Sequence, residues 1–126
     1  VIRLVRETGE AKPGTFEILE LLKSTGVPLA LASSSYLRLI EAVVSRLNIA
    51  KYFSVIHSAE LEARGKPAPD VYLTTARLLG ISPSRCAAFE DSPSGIRSAK
   101  AADMFCIAVP EPEHRAFAES LADLTL

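Results

Sequence analysis

The sequence predicts an α/β protein in which a parallel sheet carries helices on its faces. Four short apolar segments, each bounded by turn residues, alternate with four segments of helical periodicity along the 126 residues. Runs that are short and apolar throughout are typical of strands buried on both faces of a parallel sheet. Their alternation with helices is the pattern of repeated βαβ units. The length is that of a single domain, which we assign to residues 1–126.

Apolar runs that end in polar or turn residues predict four strands. Three serines follow the first run, Glu90 and Asp91 follow the third, and Pro110 follows the fourth. Because the carboxyl ends of parallel strands meet at one edge of the sheet, these residues are the first candidates for a site. The predicted strands lie within residues 27–32, 52–58, 86–89 and 105–109.

Apolar residues at helical spacing predict four helices, at residues 15–25, 37–47, 70–79 and 94–102. Gly26 and Gly80 follow the first and third of these segments as C-terminal stops. Ser92 and Pro93 give the fourth helix a capping hydroxyl and a proline in its first turn.

The composition excludes several classes of function. Lys plus Arg number 14 and Asp plus Glu number 15, so the net charge of −1 offers no basic surface for nucleic acid or an anionic membrane. The apolar runs are also far shorter than a membrane span. Cys86 and Cys106 have neither a disulfide framework nor the spacing of a zinc pair. We therefore expect reduced core cysteines and a cytoplasmic location.

The residues at the predicted strand ends suit a phosphoryl group and a metal ion. Ser33 and Ser34 supply hydroxyl and backbone donors for phosphate oxygens. Lys66, which follows the second strand in a Gly-Lys-Pro-Ala-Pro-Asp segment, supplies a point charge. Glu90 and Asp91 are hard oxygen ligands of the kind that Mg²⁺ takes together with substrate phosphate and water. The set indicates metal-assisted phosphoryl transfer to or from a small phosphorylated metabolite.

Each of these residues also has a purely structural interpretation. The serines can form only a turn and a helix cap, Lys66 can be a solvated side chain beside a proline-rich turn, and the two acids can simply favour a helix N-terminus. If Lys66 instead acts on a phosphoryl group, its replacement by methionine is expected to lower activity and to leave thermal stability unchanged or higher, because an apolar stem replaces a positive group. A solvated Lys66 predicts near-normal kinetics for both methionine and arginine replacements.

Three segments together resemble motifs of the haloacid dehalogenase-like (HAD) hydrolase superfamily. Residues 29–35 (LALASSS) resemble its second motif, residues 65–73 (GKPAPDVYL) its third, and residues 89–96 (FEDSPSGI) its fourth. The resemblance covers almost the whole chain and is greatest to the sugar-phosphate branch, which contains the 2-deoxyglucose-6-phosphate (hexitol-phosphate) phosphatases and the β-phosphoglucomutases. It implies a Rossmann-like, three-layer α/β/α core with helices on both faces of the sheet.

The resemblance also implies roles for the candidate residues. Ser33 matches the hydroxyl that hydrogen-bonds the transferring phosphoryl group, and Ser34 matches the neighbour whose backbone N–H helps to hold it. Lys66 matches the lysine that balances charge between nucleophile and phosphate. Asp91 matches the Mg²⁺ ligand, and Glu90 matches the second acid, which binds the metal directly or through water.

The chain departs from the family pattern at its beginning. The first family motif, Asp-x-Asp-Gly, supplies the nucleophile and the general acid/base on a central strand, and these 126 residues contain no such segment. We therefore expect the C-terminal part of a longer enzyme, inactive alone, whose sheet lacks its central first strand. Residues 1–12 match the end of a cap helix and its hinge. Asp103 stands where relatives often have glycine, and aspartate tolerates a left-handed backbone.

The interpretation that follows is a Mg²⁺-dependent sugar-phosphate phosphatase working through an aspartyl-phosphate. A β-phosphoglucomutase and a phosphoglycolate phosphatase share this core chemistry, and the cap that would separate them is missing. A non-catalytic binding module is a candidate of another class, against which the intact set of Ser33, Lys66, Glu90 and Asp91 argues. The substrate and the oligomeric state stay open.

Overall fold

A computed structural model describes residues 1–126, which divide into two units, Val1–Glu60 and Leu61–Leu126. The first unit contains α1 (Ile2–Thr8), α2 (Thr15–Ser24), β1 (Ala30–Ser33), α3 (Leu37–Leu47) and β2 (Val55–Ser58). The second unit contains α4 (Asp70–Leu79), β3 (Ala87–Glu90), α5 (Pro93–Ala101), β4 (Phe105–Ala108), α6 (Arg115–Leu121) and β5 (Leu124–Thr125). Every strand pair is parallel, which confirms the predicted α/β class.

The first unit is built on a two-stranded parallel sheet. In the pairing of β1 with β2, Ala30 lies opposite Val55 and Ser33 lies opposite Ser58. Helix α3 packs against both α1 and β2. The apolar core of this unit consists of Leu19, Ile40, Val44, Ile49 and Tyr52.

The second unit is built on a three-stranded parallel sheet in the order β3-β4-β5. Helix α5 packs against β3 and β4 and also contacts α4 and α6. Its Ile96 and Ala99 side chains have no solvent exposure. The core of this unit therefore lies between α5 and the sheet, directly behind the carboxyl end of β3.

Several strand boundaries differ from the prediction. Strand β1 begins at Ala30 rather than at residue 27, because Pro28 has no N–H to donate to a ladder. Tyr52 belongs to a short 3₁₀ helix, Ala50–Tyr52, that precedes β2. Helix α6 and strand β5 were not predicted. The segment before them is rich in proline and glutamate, and Ala118 is the single buried residue of α6.

The prediction that every strand is buried on both faces is wrong, because every residue of β1 is only half-buried and the sheet of the second unit has a largely exposed face. Residues of β3 alternate between exposed and buried, and Phe89 and Phe105 are about half exposed, at 46% and 50%. The residues on the opposite face, Ala88, Cys106 and Ala108, are buried. Helix α5 covers that second face, so burial in this sheet follows the helix rather than the apolar sequence.

No helix in the structure combines the length and the apolar character that crossing a bilayer requires. Residues 2–8 are helical, whereas their assignment to a cap helix and hinge within residues 1–12 stays a prediction, as does the single domain over residues 1–126. Asp103 has a φ of 62°, the left-handed backbone that aspartate tolerates.

Candidate active site

The predicted serines lie at the end of β1 in the first unit. Ser33 is half-buried, and its Oγ accepts a hydrogen bond from the backbone N–H of Ser35 at 3.1 Å. Ser34 is exposed. Ser58 Oγ, at the end of β2, donates to the Ser35 carbonyl at 2.6 Å and holds the turn from the neighbouring strand. The serines thus form a turn, but none of them caps α3, whose first N–H, that of Leu37, donates to Glu60 Oε2 at 2.8 Å, so the capping part of the structural interpretation is wrong.

The two acids lie at the carboxyl end of β3 in the second unit. The alternation of strand residues turns Glu90 toward α5, and its residue exposure is 8%. Asp91 follows the strand and is exposed. The backbone N–H of Val109 donates to the Glu90 carbonyl at 2.7 Å, which fixes this strand end against β4. Adjacent carboxylates therefore have opposite environments, one inside the unit and one at its surface.

Lys66 and Glu90 form a buried ion pair. The Lys66 ammonium contacts Glu90 Oε1, and the two side chains are 10% and 7% exposed. Tyr72, on α4, donates its hydroxyl hydrogen to the same carboxylate oxygen. Burial, followed by the charge of Glu90, raises the pKa of Tyr72, so the phenol stays protonated and remains a donor. The interpretation of Lys66 as a solvated side chain is wrong, because its charged end is enclosed and paired.

Two interactions hold the loop that carries Lys66 in place. Arg64 and Asp70, which flank it, form an ion pair at 2.7 Å. Ser98 on α5 is fully buried, and its hydroxyl donates to the Ala68 carbonyl at 2.7 Å. Because the helix that packs behind β3 also holds this loop, α5 sets the position of both members of the Lys66 ion pair.

Gly95, in the first turn of α5, makes room for the Glu90 carboxylate. Ser92 caps this helix as predicted, since its Oγ accepts from the Gly95 N–H at 3.2 Å. A Cβ atom at Gly95 would overlap the carboxyl group of Glu90. The carboxylate cannot simply swing aside, because it is bonded by Lys66 and Tyr72. The Lys66–Glu90 ion pair therefore requires glycine at position 95.

Replacement of Gly95 by alanine is expected to destabilise the protein, although alanine favours a helix by about 1 kcal/mol over glycine. Overlap with a held carboxylate costs about 1–3 kcal/mol. The matched control is Gly65→Ala, where a Cβ would meet no atom within 4 Å, so its stability should change by less than about 0.5 kcal/mol. Thermal melting of the two full-length variants compares them. An equal melting temperature for Gly95→Ala and wild type would contradict the close approach.

The donors in the second unit fit the Mg²⁺ that the resemblance implies. Mg²⁺ commonly uses one or two carboxylates and completes its octahedron with phosphate and water. Asp91 offers an exposed carboxylate, and the buried Glu90 next to it offers a second whose Oε1 already receives Lys66 and Tyr72. No group of three or more His, Cys, Asp or Glu side chains in the chain could hold a metal ion by itself. The chain could therefore supply part of a coordination shell, in which Asp91 would be the accessible carboxylate.

The cysteines do not add a nucleophile to this site. Cys106 on β4 is fully buried, and burial, with a smaller effect of Glu90, raises its pKa to about 11. Cys86 lies just before β3 and is half-buried, and burial raises its pKa as well. Both thiols stay protonated near neutral pH, as expected for core residues.

Sequence reasoning missed three residues that shape the site: Tyr72, Gly95 and Ser98. Each lies within a segment whose motif was visible, but none had a predicted role. One signal was present for Tyr72, because a tyrosine on an otherwise apolar helix face needs a partner for its hydroxyl. A weaker signal of the same kind was present for Ser98, whose hydroxyl lies on the buried face of a predicted helix and also needs a hydrogen-bond partner.

Comparison with known proteins gives a consistent result. A family model described as haloacid dehalogenase-like hydrolase matches residues 1–103. Hexitol phosphatase B of Escherichia coli (strain K12) is 42% identical over 112 residues, which is 89% of this chain and 50% of the relative. β-Phosphoglucomutase of Bacillus subtilis (strain 168) is 38% identical over 118 residues, 90% of this chain and 51% of the relative. The chain spans about half the length of the curated relatives it matches.

A solved structure shares the same fold. The structure of a CbbY variant from Rhodobacter sphaeroides in complex with xylulose-(1,5)bisphosphate superposes with a TM-score of 0.88. It is 32% identical in sequence, and the match covers 99% of this chain and 57% of the other. This likeness agrees with the α/β class of the chain.

Proposed function

Because the chain belongs to the haloacid dehalogenase-like hydrolase family, we propose that the protein containing it is a Mg²⁺-dependent phosphatase of a small phosphorylated sugar. The observation that carries the proposal is the buried pair of Lys66 and Glu90 beside the exposed carboxylate of Asp91. A lysine held in this way is a fixed positive charge at the carboxyl end of a parallel strand, which is where α/β proteins bind their ligands.

The residues of this chain act on the phosphoryl group by holding and orienting it. Lys66 offsets the repulsion between an attacking carboxylate and the phosphate. Ser33 donates its hydroxyl hydrogen to a phosphoryl oxygen, and the backbone N–H of Ser34 donates to the same group. Asp91, with Glu90 beside it, would hold the Mg²⁺, which supplies Lewis-acid stabilisation of the phosphoryl charge.

The bond changes require a residue that these 126 amino acids do not contain. An aspartate of the first family motif attacks phosphorus, the bond from phosphorus to the sugar oxygen breaks, and the leaving oxygen takes a proton from a general acid. Water then hydrolyses the aspartyl-phosphate and releases inorganic phosphate. The isolated chain should therefore be inactive, because both the nucleophile and the general acid/base are absent from it.

A β-phosphoglucomutase is the second candidate, favoured by the 38% identity to the enzyme of that name. It differs in one step, since the sugar rather than water captures the phosphoryl group. A phosphoglycolate phosphatase and a non-catalytic binding module are further alternatives. The cytoplasmic location expected from the unpaired cysteines stays a prediction.

Activity of the full-length protein and of residues 1–126 alone, measured side by side, tests the proposal. Full-length protein should release phosphate from p-nitrophenyl phosphate and from hexitol phosphates, whereas the isolated chain should show no turnover, since losing groups that act as a unit removes most of the rate enhancement. ³¹P NMR of β-glucose 1-phosphate reaction mixtures separates release of phosphate from its transfer within the sugar. Turnover by the 126 residues at ordinary enzyme rates would overturn the assignment of the motifs.

A further inference from the structure

Tyr72 contacts both members of the buried ion pair. Its hydroxyl donates to Glu90 Oε1, the oxygen that the Lys66 ammonium also contacts. Its ring lies under the same ammonium, with Lys66 Nζ 4.9 Å from the ring centroid. A cation held both by a carboxylate and over an aromatic face has little freedom to move. One side chain thus restrains the position of two charged groups.

The carboxylate of Glu90 needs such a restraint. The terminal torsion of glutamate is broad, so a buried carboxylate with a single partner can turn about its last bond. Here Gly95 bounds one side, and Lys66 and Tyr72 bind one oxygen together. Because Glu90 Oε1 accepts from both the Lys66 ammonium and the Tyr72 hydroxyl, its negative charge offsets the positive charge of Lys66 less completely. More of the positive potential of the ammonium is then available to an incoming phosphoryl group.

We propose that Tyr72 is a positioning residue. It acts through Glu90 to fix the position of the Lys66 ammonium at the phosphoryl site and to limit how far Glu90 offsets its positive charge. The inference rests on the proposed function. Tyr72 does not touch a reacting atom in this scheme, and its hydroxyl, rather than its ring, is the group that carries the effect. The substitution Tyr72→Phe tests the hydroxyl alone, because phenylalanine keeps the aromatic ring next to the Lys66 ammonium.

The chain offers a control at Tyr52. This residue is 8% exposed, against 7% for Tyr72, and its hydroxyl also donates to a glutamate, Glu20, which is exposed whereas Glu90 is buried. Lysine ammonium groups lie 5.4 Å from its ring centroid. Tyr52 and its partner Glu20 both belong to the first unit. Tyr52→Phe therefore removes the same kind of hydrogen bond without touching the Lys66 pair.

Steady-state kinetics of the two variants in the full-length protein provide the first test. We expect Tyr72→Phe to lower kcat about tenfold, the scale of one hydrogen bond to a charged group, with KM within twofold of wild type. Tyr52→Phe should leave both constants within twofold, and it should lose less thermal stability than Tyr72→Phe, because Glu20 is exposed and Glu90 is buried. A kcat for Tyr72→Phe within twofold of wild type would overturn the inference, as would an equal loss in Tyr52→Phe.

A second readout does not depend on turnover or on metal. In metal-free full-length protein labelled with ¹⁵N-lysine, the ammonium signal that disappears in Lys66→Met reports the surroundings of Lys66. This signal should shift in Tyr72→Phe and stay in place in Tyr52→Phe. An unchanged signal in Tyr72→Phe would contradict positioning of the lysine by the phenol.

The two proposals fail in different ways. A wild-type protein without phosphatase activity would contradict the proposed function, and the NMR comparison would still decide whether Tyr72 positions Lys66. An active wild type with an equally active Tyr72→Phe variant would leave the proposed function standing and remove the positioning role.

Discussion

Replacement of Asp91 by alanine in the full-length protein is expected to lower Mg²⁺-dependent phosphatase activity by about 10³-fold or more, the scale of a metal's charge stabilisation. Asp91 is the exposed carboxylate at the end of β3. Without it, the chain keeps only Glu90, whose Oε1 is already bonded by Lys66 and Tyr72. Activity assayed over a range of Mg²⁺ concentrations measures the loss.

The fold should survive this change. An exposed side chain beyond a strand end contributes little packing, and an acid before a helix N-terminus stabilises by about 0.3–1 kcal/mol. Glu113→Ala, which removes another exposed carboxylate of the second unit, is the matched control and should keep wild-type activity. Wild-type activity in Asp91→Ala would leave Asp91 only a structural role at the α5 N-terminus, and a slightly lower melting temperature would show that role.

The second large effect is expected for Lys66→Met, which should lower kcat/KM by at least about 10²-fold, the scale of one electrostatic stabiliser. Methionine keeps the aliphatic length of the side chain and removes its charge. Lys66→Arg keeps the charge but spreads it over a wider planar group in an enclosed position, so it should recover activity only in part. An unchanged kcat/KM in Lys66→Met would count against phosphoryl transfer at this site altogether.

The buried ion pair reverses the effect on stability that the sequence alone predicts for Lys66→Met. Lys66 is paired with Glu90 inside the unit, so methionine leaves a buried carboxylate without its cation. Removal of one partner of a buried pair costs about 3–5 kcal/mol, and Lys66→Met should therefore melt at a lower temperature than wild type. The double variant Lys66→Met/Glu90→Gln removes the stranded charge as well. It should recover much of the stability and none of the activity, which separates packing from chemistry.

Helices were predicted more accurately than strands, for a physical reason. The periodicity of α3 and α4 predicts residues 37–47 and 70–79, the ranges that the structure shows. Glycine and the Ser92 cap mark helix ends through local backbone chemistry that the sequence displays directly. Burial of a strand depends instead on what packs against it. The exposed Phe89 and Phe105 could not be inferred from an apolar run alone.

The candidate site was predicted as a set of residue types and not as a set of contacts. Lys66 and Glu90 are identifiable from their motifs, but they are 24 residues apart in the chain, and their pairing depends on how α4 and α5 are placed. The same placement brings Tyr72 onto the carboxylate and Ser98 onto the Lys66 loop. Contacts of this kind follow from tertiary packing, which a single sequence does not display.

The most direct measurement of the central claim is the rate of phosphate release from a hexitol phosphate by the full-length wild-type protein, with Mg²⁺ and then with excess EDTA. The claim predicts saturable release in Mg²⁺ that EDTA abolishes and added Mg²⁺ restores. Release that is indifferent to EDTA would contradict the role of Asp91 and Glu90 as metal ligands. No release from any phosphorylated sugar in the presence of Mg²⁺ would contradict the proposed function itself.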